Sequence, residues 1–275
     1  MPPLVIDVFR LTVWLVILAL IFAPIERLFM LRKAETRHSV LADLGYFYIN
    51  GILPALLIAA PLALVSAGVR SVTPAVWHDA VMSLPLWASI VIGLLVAEFG
   101  SYWAHRWCHK SPLLWRFHAI HHTPKHVDWL INSRAHPVDI IFTRMGGLVP
   151  LYLLGLDGGG GERGMVPVII TLIGTVWSFF VHANVRWRFG PLEQLIATPA
   201  FHHWHHTNDE YRDHNFAATL PIVDRMFGTL HLPDHWPREY GIDEPVPHTL
   251  YDEVFRPFAI GERTPPTPAE KPVAP

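Results

Sequence analysis

Residues 84–103 of the chain read LPLWASIVIGLLVAEFGSYW, and this stretch decides the class of fold. It contains one charged side chain, Glu98, within a length of about 20 residues, which is enough for a transmembrane helix. Residues 105–109 follow and read HRWCH, so the predicted span ends in two histidines, His105 and His109. Because neutral imidazole is the commonest metal ligand in proteins, this stretch predicts a membrane helix with candidate metal ligands at one end.

Other apolar segments place much of the remaining chain in a membrane. Three have the length and composition of a span, namely residues 4–22, 46–69 and 165–181. Residues 140–156 are shorter and contain Arg144, so they predict either a kinked span or half of a re-entrant hairpin completed by 165–181. The glycines of 158–161 would form the tip of that hairpin. We therefore expect an all-α integral membrane protein with four or five spans and a cytoplasmic helical cap.

The composition of the chain excludes several classes of protein. Of its 275 residues, 51% are hydrophobic and 16% are charged, whereas soluble domains carry about 25% charged residues. The net charge of −2 with neutral histidines gives no broad electrostatic basis for binding nucleic acid. The single cysteine, Cys108, cannot form an internal disulfide, or a thiolate zinc or iron–sulfur site on its own. The chemistry of the chain therefore rests on its 18 histidines.

The basic residues of short loops predict the orientation, because such residues are enriched on the cytoplasmic side. The loop after the first span includes Arg27 and Arg37, and the segments around the histidines, with Arg106 and Arg134, are also basic. We expect the amino terminus outside and the histidines at the cytoplasmic face. Residues 1–6 lack a basic residue and no cleavage site follows, so the first span should stay as an anchor. Seventeen arginines against four lysines favour a bacterial inner membrane over the endoplasmic reticulum.

Two short segments repeat the pattern F-H-x-x-H-H-T, since residues 117–123 read FHAIHHT and residues 201–207 read FHHWHHT. Each follows a hydroxyl residue and a proline, Ser111-Pro112 and Thr198-Pro199, which is typical of a helix start. On a helix, positions i, i+3 and i+4 lie on one side, so each segment can present several imidazoles to a metal centre. The candidate ligands from the three histidine segments are His105, His109, His118, His121, His122, His202, His205 and His206.

These eight imidazoles are too many for one tetrahedral zinc, and they suit two metal ions with about four ligands each. His182, at the end of the last predicted span, is a candidate ninth ligand or a buried structural histidine. Metal binding by His203 or His214 stays open. Nitrogen ligation without thiolate is compatible with iron, copper or zinc and does not choose among them. The alternative for the whole set is a solvated, histidine-rich face that traps metal loosely. Five further histidines are expected to be surface residues or hydrogen-bonded structural residues, namely His38, His78, His231, His235 and His248.

Taken together, the three histidine spacings and their surroundings resemble the fatty acid hydroxylase/sterol desaturase superfamily. The resemblance covers about residues 90–235 and includes the segment DRMFGT at 224–229. It implies a membrane-bound enzyme in which the nine histidines hold two non-haem iron ions. Such an enzyme uses O2 to hydroxylate or desaturate a fatty-acyl or sterol-like lipid. Fatty acid hydroxylases often carry a further histidine where this chain has Ser178, and this departure favours the sterol-desaturase-like branch.

The resemblance also implies a division of the chain. Residues 1–83 would form amino-terminal transmembrane helices, and residues 84–260 a catalytic domain. Residues 261–275 are rich in proline and have little that could pack, so they predict a disordered tail.

Neutral ligands leave the charge of the metal ions uncompensated, so nearby carboxylates are expected. The candidates are Asp128, Asp139, Asp209, Asp213 and Asp224. Because the chain shows no flavin or nicotinamide fingerprint, electrons must come from an external donor, a ferredoxin or a cytochrome b-type protein. That donor would dock on a basic face, which could also contact lipid headgroups, formed by Arg106, Lys110, Arg186 and Arg188.

Three rival functions compete with lipid oxidation. A metal transporter or metal-storage protein would need ionisable groups deep within several spans, and the predicted spans contain few besides Arg144 and Glu98. A membrane cytochrome needs one or two histidines for each haem iron, which fits tight triplets poorly. A dinuclear-metal hydrolase would bind zinc in the same residues and act without O2 or a reductant.

Overall fold

The computed structural model describes residues 1–33, 40–158, 161–244 and 249–258. The predictions for Arg37, His38 and His248, for part of the 158–161 tip and for the 261–275 tail fall outside these residues. Within the described part, no β-strand is formed and ten α-helices follow one another along the chain. They are α1 (Pro3–Phe29), α2 (Val40–Val72), α3 (Ala75–Ser83), α4 (Leu86–Lys110), α5 (Pro112–His122), α6 (Pro137–Leu153), α7 (Val166–His182), α8 (Pro199–His205), α9 (Ile222–Phe227) and α10 (Leu250–Phe255).

Four helical segments of the described chain are long and apolar enough to cross a membrane. They are α1, α2, α4 and the segment Gly161–His182, which contains α7. Pro24 in α1, and Pro54 and Pro61 in α2, lie inside helices without ending them, as membrane helices tolerate. The prediction of an all-helical membrane protein is confirmed.

The long helices run between two ends of the bundle. The end at which α4 carries His105 and His109 is the histidine end, and the opposite end is the far end. At the histidine end, α2 begins and Asn50 donates through its amide to the carbonyl of Ala135, at 2.8 Å. At the far end, Arg70 near the end of α2 forms an ion pair with Asp157, at 3.3 Å. Because α6 starts just after Ala135 and ends just before Asp157, it runs from the histidine end to the far end. Its 17 residues span about 26 Å, which is less than the roughly 30 Å of a bilayer's hydrocarbon core, and α6 is not among the four segments that are long and apolar enough to cross a membrane.

The two helices α4 and α6 approach so closely that glycine is required at their contact. A Cβ atom on Gly100 would lie 2.1 Å from the carbonyl oxygen of Gly146, which is well inside contact distance. A Cβ atom on Gly147 would lie 2.5 Å from Oγ of Ser101. The absence of side chains at Gly100, Gly146 and Gly147 therefore brings α6 against the helix that carries His105.

Glu98, the charged residue of the predicted span 84–103, anchors residues 218–220 to α4. Its buried carboxylate accepts hydrogen bonds from the backbone N–H groups of Ala218, Thr219 and Leu220, at 2.8–3.2 Å. Three N–H donors compensate the cost of burying the charge. The segment that follows α8 is thereby held against the middle of α4.

Candidate metal centre

The three histidine segments lie on helices that begin as the sequence predicts. The helix α4 continues to Lys110, so His105 and His109 project from its last turns. Ser111 caps α5 by accepting a hydrogen bond from the N–H of Leu114, at 3.4 Å, and Thr198 caps α8 in the same way. Short capped helices fix the directions of the imidazoles that follow.

Nine histidines converge into two neighbouring groups. Within each group the ligand nitrogens all lie within 4.8 Å of one another. The first group contains His105, His109, His118, His122 and His205. The second group contains His121, His182, His202 and His206. These are the nine residues singled out from the sequence, and the structure brings every one of them together.

The two F-H-x-x-H-H-T segments contribute to the groups in a reciprocal way. The i, i+4 pair of α5, His118 and His122, belongs to the first group, and His121 belongs to the second. In the second segment, the pair His202 and His206 belongs to the second group, while His205 belongs to the first. Because each segment serves both groups, the two groups lie side by side. The rings of His122 and His206 are stacked with centroids 4.6 Å apart.

Polar partners hold the outer nitrogens of the first group. Nδ1 of His118 donates to the buried carboxylate of Asp139, at 3.0 Å, and Nδ1 of His109 lies 3.2 Å from Asp213. Nδ1 of His105 donates to the carbonyl oxygen of Phe216, at 2.8 Å. Such partners fix the tautomer, so Nε2 of each ring faces the centre of the group as an acceptor.

Backbone carbonyls do the same for three further ligands. Nδ1 of His121 donates to the carbonyl of Arg134, at 3.0 Å, and Nδ1 of His182 donates to that of Ser178, at 2.7 Å. Nδ1 of His205 donates to the carbonyl of His214, at 2.9 Å. The sequence carries no signal for these partners, since every residue has a carbonyl group. His214 thus supports a ligand through its backbone and lies outside both groups.

Of the five aspartates predicted near the metal ions, two contact candidate ligands. These are Asp139 and Asp213. Asp224 acts indirectly, because it accepts from the N–H groups of Phe216 and Ala217, at 2.8 Å each, and so fixes the carbonyl that orients His105. The carboxylates of the other two accept backbone N–H groups in local turns, and these residues are Asp128 and Asp209.

Arg134 is buried, and this corrects its assignment to a basic cytoplasmic surface. Its side chain is 1% exposed. It forms ion pairs with Asp43 at the start of α2, at 2.9 Å, and with Glu253 of α10. Asn50 donates to the carbonyls on either side of Arg134, those of Ser133 and Ala135. The carbonyl that orients His121 is therefore held by residues from both ends of the chain.

Burial keeps five of the candidate ligands outside the spans neutral at physiological pH. It lowers the pKa of His121 to about 4, and it holds the pKa values of His122, His202, His205 and His206 well below 6.5. Removing a charged imidazolium from water costs free energy, and neighbouring imidazoles would add repulsion. Each ring therefore has a lone pair available for a metal ion.

His203 has a structural role, although it lies between the ligand candidates of α8. Its Nε2 donates to the carbonyl of Ala183, at 3.1 Å, and its Nδ1 accepts from the hydroxyl of Tyr240, at 2.9 Å. Both nitrogens are thus used, and neither faces a group. His203 ties α8 to the end of α7, which keeps His182 beside His202. The rings of His231 and His235 pack on Trp204, outside both groups.

The carboxylate of Asp139 offers a direct test of ligand support. Asp139→Asn is expected to weaken metal binding to the first group by about 10–100-fold, because it removes the charged acceptor that orients His118. Metal content after dialysis against a graded chelator measures the effect. Asp209→Asn is the matched control, since Asp209 contacts the N–H of Tyr211 and should leave metal content unchanged. Equal metal loss in both variants would contradict the assignment.

Comparisons with known proteins identify the family. Residues 90–229, which include all nine histidines, match the family described as fatty acid hydroxylase. The chain belongs to the fatty acid hydroxylase family. The resemblance stated from the histidine spacings is therefore confirmed, and the part of the chain that matches the family contains α4 to α9 but neither α2 nor α10.

Several characterised proteins are similar to the chain. Ornithine lipid hydroxylase OlsE of Rhizobium tropici is 37% identical over 192 residues, covering 66% of this chain and 53% of that protein. Alkylglycerol monooxygenase of Xenopus tropicalis is 28% identical over 167 residues, covering 60% of this chain and 34% of that protein. Methylsterol monooxygenase 2-2 of Arabidopsis thaliana is 27% identical over 201 residues, covering 68% of this chain and 65% of that protein. The chain thus spans about half the length of OlsE, and no solved structure matches it.

Proposed function

We propose that this protein is a membrane-bound oxygenase that uses two iron ions and O2 to hydroxylate or desaturate a lipid. The observation that carries the proposal is the pair of adjacent groups of five and four histidine nitrogens at the end of a membrane helix bundle. Two redox-active ions side by side suit the activation of O2. The membrane helices beside them suit an apolar substrate.

The donor set fits metal ions better than it fits a hydrogen-bonded core. In the second group, Nε2 of His182 lies 3.0 Å from Nε2 of His202 and 3.2 Å from Nε2 of His206. These nitrogens face one another, and the outer nitrogen of His182 already donates its proton to Ser178. In the first group, buried Nε2 of His205 has no hydrogen-bond partner in the described part of the chain. Lone pairs directed at a common point are what a metal ion requires.

The residues of the chain hold, orient and shield the metal ions. Bound iron would supply the O2 chemistry, which no side chain can perform on an unactivated C–H bond. Asp139 and the backbone carbonyls fix the ring orientations, as described above. Trp115 and Phe216 pack against His109, with ring centroids 5.2 Å and 5.1 Å apart, and limit the access of water.

The reaction needs electrons from outside the protein. Hydroxylation consumes RH, O2, two electrons and two protons, and it yields ROH and water. We assign the electrons to an external one-electron donor protein, a ferredoxin or a cytochrome b-type protein, docking at the histidine end on the cytoplasmic side. Of the predicted basic face, Arg186 is exposed, whereas Lys110 pairs with Asp213 and Arg188 pairs with Glu193. The charge of the docking face is therefore smaller than the sequence indicates.

The names of the relatives support a lipid substrate. They act, by name, on an ornithine lipid, an alkylglycerol and a methylsterol. These molecules share apolar chains or rings that partition into a bilayer. A membrane lipid is the substrate class that we propose here.

The proposal predicts a product that depends on iron, O2 and a reductant. Protein reconstituted with iron is incubated with membrane lipid extract, a reduced ferredoxin and isotopically labelled O2. Mass spectrometry should find a lipid that gains one labelled oxygen atom or loses two hydrogen atoms. Protein loaded with zinc is the control and should give no such product. A product formed with zinc and without O2 would instead indicate a hydrolase.

A further inference from the structure

One arginine of α6 has no role in the metal centre or in the packing described above. Arg144 is half-buried, and its guanidinium has no hydrogen-bond, ion-pair or ring partner among the residues that the structure describes. Other arginines of the bundle are paired, such as Arg70 with Asp157 and Arg134 with Asp43. Ionisable residues within membrane helices are costly, and they typically mark a functional site.

The packing of α4 against α6 places Arg144 at the level of the metal centre. The two helices are antiparallel, since Cys108 contacts Asp139, at 3.5 Å, while Ala104 lies opposite Gly146. Positions further along α6 therefore meet positions further back along α4. Arg144 lies between these two contacts along α6, so it stands beside Ala104 and His105 of α4.

The helical repeat shows which way Arg144 faces. Leu151 lies seven residues further on, which is close to two turns, so the two side chains share one face of α6. Leu151 is fully buried and packs in a cluster with Ala97 of α4 and Ile170 of α7. Arg144 therefore lies on the inward face of α6, towards α4 and α7, the helices that carry His105 and His182.

We propose that Arg144 binds the carboxylate or phosphate group of the lipid substrate and holds it beside the metal centre. The proposal rests on the lipid oxygenase function proposed above. A guanidinium offers a planar pair of N–H donors that matches either anion, and the surrounding helices exclude much of the competing water. Because Arg144 lies at the level of His105, the carbons presented to the metal ions are those close to the acidic group.

Three lipids with the same chain and different head groups test the assignment. Oleate, oleyl phosphate and oleyl alcohol are added to the full-length protein in detergent micelles, and binding is measured by native mass spectrometry. The two anions should bind about 10–100-fold more tightly than the alcohol, as expected for charge-assisted hydrogen bonds. The stronger of the two anions identifies the acidic group.

Variants of Arg144 separate its role from general charge effects. Arg144→Gln should reduce the affinity for the anions to that for the alcohol, and Arg144→Lys should keep part of the preference. Arg70→Gln is the matched control at the far end and should keep the whole preference. Equal binding of the three lipids to the unaltered protein, or a preference that survives in Arg144→Gln, would overturn the proposal.

The binding experiment is independent of the proposed oxidation. It needs neither O2 nor a reductant, so a charge preference without any oxidised product would disprove the oxygenase and leave the anion site standing. Thermal unfolding supplies a second readout. Arg144→Met should raise the melting temperature in the absence of lipid, because it removes an unpaired cation from the bundle. A lower melting temperature would show that Arg144 has a structural role instead.

Discussion

His202→Ala is expected to reduce the metal content from two ions per chain to about one and to abolish lipid oxidation. His202 belongs to the second group, where its Nε2 lies 3.0 Å from Nε2 of His182 and 3.2 Å from Nε2 of His206. Its loss leaves three imidazoles in that group. Loss of a residue that merely supports a ligand costs about 10–100-fold, so loss of a ligand should exceed that range. Metal analysis of purified protein and the labelled-oxygen assay measure the two effects.

The adjacent histidine provides the matched control for this experiment. His203 is as deeply buried as His202, but its nitrogens contact Ala183 and Tyr240. His203→Gln should therefore retain two metal ions, with a lower melting temperature as its main effect. The assignment of the groups fails if His202→Ala keeps both ions, or if the two variants lose metal to the same extent.

Local signals in the sequence were sufficient for the helices that carry the histidines. The caps Ser111 and Thr198 and the prolines that follow them are short-range chemistry, and α5 and α8 begin where these residues place them. The spans depend on composition alone, and α2 continues through Pro54 and Pro61 as expected for a membrane helix. Such features need no knowledge of the partners that a helix will meet.

The division of the ligands between two groups could not be read from the spacing. Positions i, i+3 and i+4 share one side of a helix, which predicts that His118, His121 and His122 lie together. Which ring serves which group depends on how α5 faces α8 across the centre, and that is a tertiary contact. The nitrogens of one helix therefore divide two to one between the groups.

Ion pairs between residues that are distant in the chain could also not be predicted from the sequence. Arg134 looks like a loop cation when only its neighbours are considered, and positive-inside counting treats it as one. The structure buries it because Asp43 and Glu253, which are 91 and 119 positions away, both meet its guanidinium. A buried cation needs such partners, and a sequence without a second member of the family does not show which acids provide them.

The second prediction concerns the buried ion pair between Arg134 and Glu253. Glu253→Ala is expected to lower the free energy of unfolding by about 3–5 kcal/mol, because removing one partner of a buried ion pair leaves part of the charge uncompensated. Arg134 should then shift, and with it the carbonyl that lies 3.0 Å from Nδ1 of His121. The second group should bind its metal ion more weakly, whereas the first group should keep its ion. Chemical denaturation in micelles and a metal titration measure both effects.

Glu244→Ala is the control that separates this effect from the loss of an acidic residue near the end of the chain. Glu244 and Arg256 form a partly exposed pair, 3.7 Å apart, and pairs that are open to solvent contribute about 0–1 kcal/mol. Similar destabilisation by the two variants would show that Glu253 is an ordinary surface acid. Loss of the ion from the first group before that of the second would show that α10 acts elsewhere. If the second group loses its ion before the first, α10 is part of the metal centre although it lies outside the residues that match the family. Its Glu253 then fixes His121 through the buried Arg134.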